Sequence, residues 1–139
     1  MLYLGIDYGD KRIGLATISP DTGLSTPLDP LKSGGWARDI PKIVRIIQER
    51  DITGIVIGLP LNMDGSEGRR AEVTRKFGAL LADASGLQII YHDERLTSRE
   101  ADSILAQNGL NRQKRQLIID SVCAQLILES YFAQTSNGA

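Results

Sequence analysis

The sequence holds one cysteine, Cys123, and one histidine, His92, in 139 residues. A single cysteine rules out an internal disulfide and fits a reducing cytoplasm. No cluster of His and Cys suggests zinc. No apolar run approaches the ~20 residues needed to span a bilayer, so no membrane partner is expected. The opening MLYLGIDYGDKR lacks a basic start followed by an apolar stretch and a small-residue cleavage site, so no secretion signal is expected. A basic excess is also missing: 16 Lys and Arg stand against 17 Asp and Glu, for a net charge of −1. Nucleic-acid binders usually carry a basic patch, so any such function must rest on local clustering of Lys and Arg. There is no G-x-x-x-x-G-K-[ST] phosphate loop and no G-x-G-x-x-G after a strand. A Ser-His-Asp triad would have to use His92, and no G-x-S-x-G is present.

What the chain does have is enough apolar residue, 42%, for one core in one domain. LYLGID (2–7) is short and nearly continuously apolar, which predicts a buried strand. RIGLATI (12–18) predicts a second, so YGDK is a hairpin turn. A third strand fits 24–31, made ragged by prolines. Ile40, Ile43, Val44 and Ile47 form the i, i+3, i+4, i+7 stripe of a helix over 36–49. ITGIVIGLP (52–60) reads as the next strand, then a turn-rich loop, PLNMDGSEG. A helix over 67–84 has Val73, Phe77, Leu80, Leu81 and Ala84 on its expected buried face, and LQIIYH (87–92) reads as the last strand. Thr97 to Glu100 matches a capping box for a third helix ending at Asn108-Gly109. A final helix runs from about 112 to 133. The expectation is one domain over 1–133 with a frayed tail over 134–139. An antiparallel meander followed by alternating α and β demands a partly parallel sheet with helices on its faces.

Acids in three separated segments stand out. Asp7 ends the first strand among Leu4, Ile6 and Gly9, where a carboxylate costs desolvation unless something positive pairs with it. Taken alone, it fits a turn aspartate as well as a ligand. Asp120 shares a helical stripe with Leu117, Cys123, Ala124, Ile127, Leu128 and Tyr131. An acid at a core-facing position is a local inconsistency, and these concentrate at functional sites; the competing reading is a buried ion pair with Arg115 or another basic residue. Asp93 and Glu94 follow the last strand, at the sheet edge where α/β proteins bind ligands. His92 fits a strand-end role better than a base, and Cys123 a small core residue. Hard cations such as Mg²⁺ or Mn²⁺ take carboxylate oxygens, waters and phosphate, and a pair of such ions suits in-line phosphoryl displacement. Lys11, Arg12, Arg95, Arg112, Lys114 and Arg115, with Asn62 of the turn-rich loop, suit nucleic-acid contacts; Arg69-Arg70 is a further local basic group, and Arg75-Lys76 on a helix surface is better read as serving solubility.

GIDYGDKRIGLA (5–16), GLPLNMDGSEG (58–68), DERLTS (93–98) and IDSVCAQLIL (119–128) resemble, in order and spacing, the motifs of the YqgF or RuvX-type family. The match covers nearly the whole chain. Its members are bacterial Holliday-junction-resolvase-like proteins regarded as nucleases of pre-16S rRNA. The resemblance implies an α/β RNase H-like fold, a five-stranded mixed sheet of order 3-2-1-4-5 with helices on both faces. It also implies a cytoplasmic, metal-dependent endonuclease trimming the 5′ end of pre-16S rRNA, leaving a 5′-phosphate and a 3′-OH. The acidic site carries over to Asp7, Glu94 and Asp120. The family pattern usually has alanine at Cys123. In the wider superfamily the second acid follows the fourth strand; here that strand ends in Gly58-Leu59-Pro60, with Asn62 and Asp64 the nearest substitutes. In a 3-2-1-4-5 sheet Glu94 starts two strands from Asp7, roughly 10 Å at ~4.8 Å per strand. That spacing predicts an open site, one-metal or completed by substrate. Three rivals remain: an actin- or sugar-kinase-like ATPase, which needs two such domains; a non-catalytic binder of rRNA or ribosomal particles; and a DNA junction resolvase. The last usually needs a two-fold dimer, whereas the surface pattern suggests a monomer or weak dimer.

Overall fold

The computed structural model of the protein describes residues 1–94 and 122–133. Its elements run β1 (Leu2–Tyr8), β2 (Arg12–Ser19), β3 (Leu24–Lys32), α1 (Trp36–Glu49), β4 (Ile52–Leu59), α2 (Arg69–Ser85) and β5 (Ile89–Asp93), with residues 122–133 helical. The expected helix from Thr97, the start of the final helix and the tail from 134 lie outside the described residues. Among the described residues no helix is long and apolar enough to cross a membrane.

The five strands order as β3-β2-β1-β4-β5, as the family resemblance implies. β1 pairs antiparallel with β2 and parallel with β4, and β4 pairs parallel with β5. The β1–β2 turn is closed by Gly9 N–H donating to Arg12 O at 3.0 Å. β3 lies at the edge, where proline is tolerated. Its register slips: Ile13 faces Leu31 and Leu15 faces Leu28, so Asp29 and Pro30 share the space opposite Gly14 in a bulge.

Side chains alternate along β1, which divides the core between the two sheet faces. Leu4 and Ile6 pack with Ile40, Ile43, Ile47, Phe77 and Leu81 of α1 and α2. On the other face Val56, Ala16 and Ile18 pack with Ala124, Ile127 and Leu128 of the C-terminal helix. That helix sits close on the sheet because Gly5 has no side chain; a Cβ there would lie 2.8 Å from Ala124 O.

Two details differ from the sequence reading. β5 begins at Ile89, two residues later than expected. The buried face of α2 is Ala71, Thr74, Phe77, Gly78 and Leu81, whereas Leu80 and Ala84 are exposed. The helix presses its small residues against the sheet, and the Tyr91 hydroxyl occupies the space a side chain at Gly78 would need. Leu80 and Ala84 instead line a surface cleft with Trp36, Ile40 and Pro41 of α1.

Candidate active site

The site forms where the parallel strands end. Asp7 is the penultimate residue of β1 and pairs across the ladder with Gly14. By alternation it shares a face with Gly5, the face under the C-terminal helix. Its neighbour Tyr8 points to the other face, stacked on Phe77 with ring centroids 4.3 Å apart. Trp36 Nε1–H donates to the Tyr8 hydroxyl at 2.6 Å. The end of β1 is therefore gripped by both α1 and α2. The turn beside it is held too: Ser33 N–H donates to Lys11 O at 2.9 Å. The Asp39 carboxylate, wholly buried, accepts from Gly34 N–H at 3.1 Å and Ser33 Oγ–H at 3.4 Å. Nothing in the sequence pattern singled out Asp39, because a first-turn acid on a helix is ordinary. Here it fixes the β3–α1 connection against the β1–β2 hairpin.

Glu94 is one residue past β5. Its N–H donates to Leu59 O at 3.3 Å, which ties it to the end of β4. Its carboxyl group crosses β4 and hydrogen-bonds to the side chain of Asp7. The predicted gap of two strand widths is thus closed. The physical reason is Gly58, which pairs with His92 in the ladder and lies between the two acids. A Cβ on Gly58 would stand 2.3 Å from Glu94 Oε2. Asp93, by contrast, is exposed. Of the two adjacent acids, Glu94 is the one that meets Asp7.

The electrostatics follow from this contact. Burial first, then the charge of Asp7 and the hydrogen bond to it, push the Glu94 carboxyl from the usual 4.5 up to about 8. Asp93 adds to the rise and the Arg70 guanidinium opposes it. Arg70 thus projects its field onto the acid pair from the first turn of α2. With Arg69, Thr74, Val73, Tyr8 and Asp10 it lines a cleft of about 370 Å³ between α2 and the end of β1. In the sequence Arg69-Arg70 stands out only as a local basic group. Their place in the first helix turn after β4 was the available signal.

The remaining predicted residues fall in several places. Lys11 is exposed at the hairpin next to Asp7, and Arg12 opens β2, paired with Lys32. Asn62 is engaged within its own turn: its side-chain amide donates to Ser66 Oγ at 3.0 Å, and Ser66 also donates to Asp64. Asp120, Arg95, Arg112, Lys114 and Arg115 lie outside the described residues. Among the described residues no group of three or more His, Cys, Asp or Glu gathers as a metal cluster. His92 is a strand-end residue, buried, with Nε2 2.9 Å from Ser130 Oγ. Cys123 is a buried core residue.

The sequence profile described as "RuvX: Holliday junction resolvase" matches residues 1–134. The chain belongs to the RuvX family. Among its relatives, a protein of Oenococcus oeni named "Putative pre-16S rRNA nuclease" is 41% identical over 94% of this chain and 93% of that one. One of the same name from Ruegeria pomeroyi is 38% identical over 96% and 86%. Membership places the chain among nucleases acting on phosphodiester bonds. Solved structures agree on the fold. Thermus thermophilus RuvC in complex with a Holliday junction substrate superposes with a TM-score of 0.63 at 13% identity, over 98% of this chain and 96% of that one. The fowlpox virus Holliday junction resolvase gives 0.59 at 12%, over 97% and 99%. The RuvX chain therefore has the RNase H-like fold of these resolvases.

Proposed function

We propose that this RuvX-family protein is a metal-dependent endonuclease that processes the 5′ end of pre-16S rRNA, with Asp7, Glu94 and Asp120 as its acids. The observation that carries the reading is the Asp7–Glu94 pair at the carboxyl ends of β1 and β5. Two hydrogen-bonded carboxyl groups keep a proton between them because both cannot ionise cheaply in a buried place. A divalent cation in the proton's position relieves the same repulsion, and oxygen-only donors suit Mg²⁺ or Mn²⁺. The residues present therefore fit such an ion, with Asp7 and Glu94 as its holders. Asp120 is assigned as the third from the sequence alone, where it shares a helical spacing with Cys123, Ala124 and Ile127, which are buried. When bound, the ion supplies positive charge to the attacking water and to the phosphate oxygens.

The chain's own residues do the rest. Arg70 and Arg69 hold a phosphate of the strand in the cleft by Tyr8, and Lys11 and Arg12 hold the backbone on the hairpin side. Arg95, Arg112, Lys114 and Arg115 are assigned the same task from sequence. The relatives' name supports pre-rRNA as substrate; ribosomal particles as the setting and the cytoplasm as the location belong to the proposal. The family description favours a second substrate, branched DNA.

The test is cleavage of a pre-16S 5′-leader RNA and of a four-way DNA junction, each with and without Mn²⁺. Wild-type protein is expected to cut the RNA only with metal, and Asp7→Asn and Glu94→Gln to cut neither while still binding RNA. Wild-type rates in Asp7→Asn would remove the assignment. Cleavage of the junction alone would transfer the site to DNA.

A further inference from the structure

We infer that Gly58 is a positioning residue for the acid pair: the missing side chain at this one point of β4 is what lets the Glu94 carboxylate reach Asp7. The inference rests on the nuclease reading for its functional consequence, though not for its geometry.

β1 and β5 are not neighbours, since β4 lies between them. An acid leaving β5 must therefore pass over β4 to touch an acid on β1. It can pass only where the strand presents no side chain on that face. Val56 and Gly58 are the β4 residues on the Asp7 face nearest the site, and Val56 is filled with core contacts. Gly58 alone is open. The opening is already used by two groups. A Cβ there would lie 2.3 Å from Glu94 Oε2, 3.1 Å from the Glu94 carboxyl carbon, and 2.5 Å from Ile127 Cδ1. These distances are well inside the optimal non-bonded separation of ~3.5–4.0 Å. Ile127 is wholly buried in the packed face and has little room to give. Glu94 is held by its backbone to Leu59, but its carboxyl group is the end of a flexible side chain. So a methyl group at position 58 turns the carboxyl group away from Asp7 and leaves the strands paired.

Ile127→Val removes the very Cδ1 atom in question, which separates the two clashes. Gly58→Ala in that background keeps the fold while still displacing Glu94. Unfolding is followed in urea by the fluorescence of Trp36, the one tryptophan of the sequence. Metal binding is read as the rise in melting temperature with Mn²⁺, and function as kcat on the leader RNA. Ile127→Val alone is expected to behave as wild type in the metal and kcat assays. Gly58→Ala/Ile127→Val is expected to lose the Mn²⁺ shift and about 100-fold in kcat, the scale of a ~1 Å misplacement. Retention of both overturns the inference. A second measurement does not depend on activity. In the Ile127→Val background, Gly58→Ala should lower the unfolding midpoint more with Glu94 present than in Glu94→Ala, because the atom at 2.3 Å is then gone. Equal midpoint changes overturn the crossing. If this coupling is found while Asp7→Asn still cleaves RNA, the crossing stands and the nuclease assignment to this pair falls.

Discussion

Sharing a proton between two acids makes the charge of the candidate site depend on pH, and so the stability of the metal-free protein does too. The Glu94 carboxyl titrates near 8 in the folded chain against an ordinary 4.5. Between those values the folded protein keeps a proton that the unfolded chain has released. Its contribution is therefore full below about 4.5 and is lost as pH rises through about 8. His92 works the other way. Burial lowers its value from 6.5, with Asp93 opposing. It costs stability as pH falls below 6.5, where the unfolded chain takes the proton more readily. Urea unfolding without metal should thus show stability declining from neutral towards pH 9. Glu94→Gln should flatten that alkaline decline. Asp7→Asn should only lessen it, because burial, the larger cause, remains. A steep alkaline decline in Glu94→Gln would show that another group is responsible. At this scale the sequence marked Asp7 and the neighbours Asp93 and Glu94, and the family resemblance chose Glu94, but neither gave the contact. Counting strand spacings measures backbone separation, and the contact is made by a side chain passing over a glycine.

The elements around the pair are held by cross-ties of modest size. Arg75 of α2 donates to both oxygens of Glu67 at 2.6 and 2.9 Å, and its guanidinium lies 4.8 Å from the Tyr91 ring centroid on β5. Arg75 holds the Glu67 carboxyl below its ordinary value through that hydrogen bond. One side chain thus joins the 61–67 loop, α2 and β5. The ion pair is exposed, so its removal should barely move the global unfolding midpoint. It should instead loosen the loop. In Arg75→Ala, amide exchange at Asn62 and Gly65, which donate to Ser66 O and Asn62 O, should quicken several-fold, with β4 amides unchanged. Unchanged exchange at those two amides would mean the loop holds itself. Both early helices were legible because apolar spacing at three and four residues is strong in each, and the strands because their apolar runs are short and bounded by turn formers; the strand order came with the family resemblance. The buried face of α2 was not. Spacing analysis weighs large apolar residues, whereas the contact surface there is built from Ala71, Thr74 and Gly78.

For the whole molecule, a cation that binds only the folded acid pair must stabilise the entire domain, because β1, β4 and β5 meet at that pair. The expected gain follows RT ln(1 + [L]/Kd), ~2.7 kcal/mol at a hundred times Kd. Wild-type melting temperature should climb with Mn²⁺ at pH 8, and climb less at pH 5, where the proton competes. Asp7→Asn should show no climb at either pH. A climb in Asp7→Asn equal to wild type would place the ion elsewhere. RNA binding should weaken steeply with salt, since with a net charge of −1 attraction comes only from local clusters. The far side of the sheet bears on a different matter, how copies of the chain behave when crowded together. Among the described residues β3 is the edge strand opposite β5, and it carries Pro27 and the Asp29-Pro30 bulge. A second chain trying to extend the sheet there meets missing N–H donors and a broken register, so that edge cannot template stacked growth. Concentrated stocks should stay free of fibres seeded from β3, and any self-association must use a helical face or the β5 side.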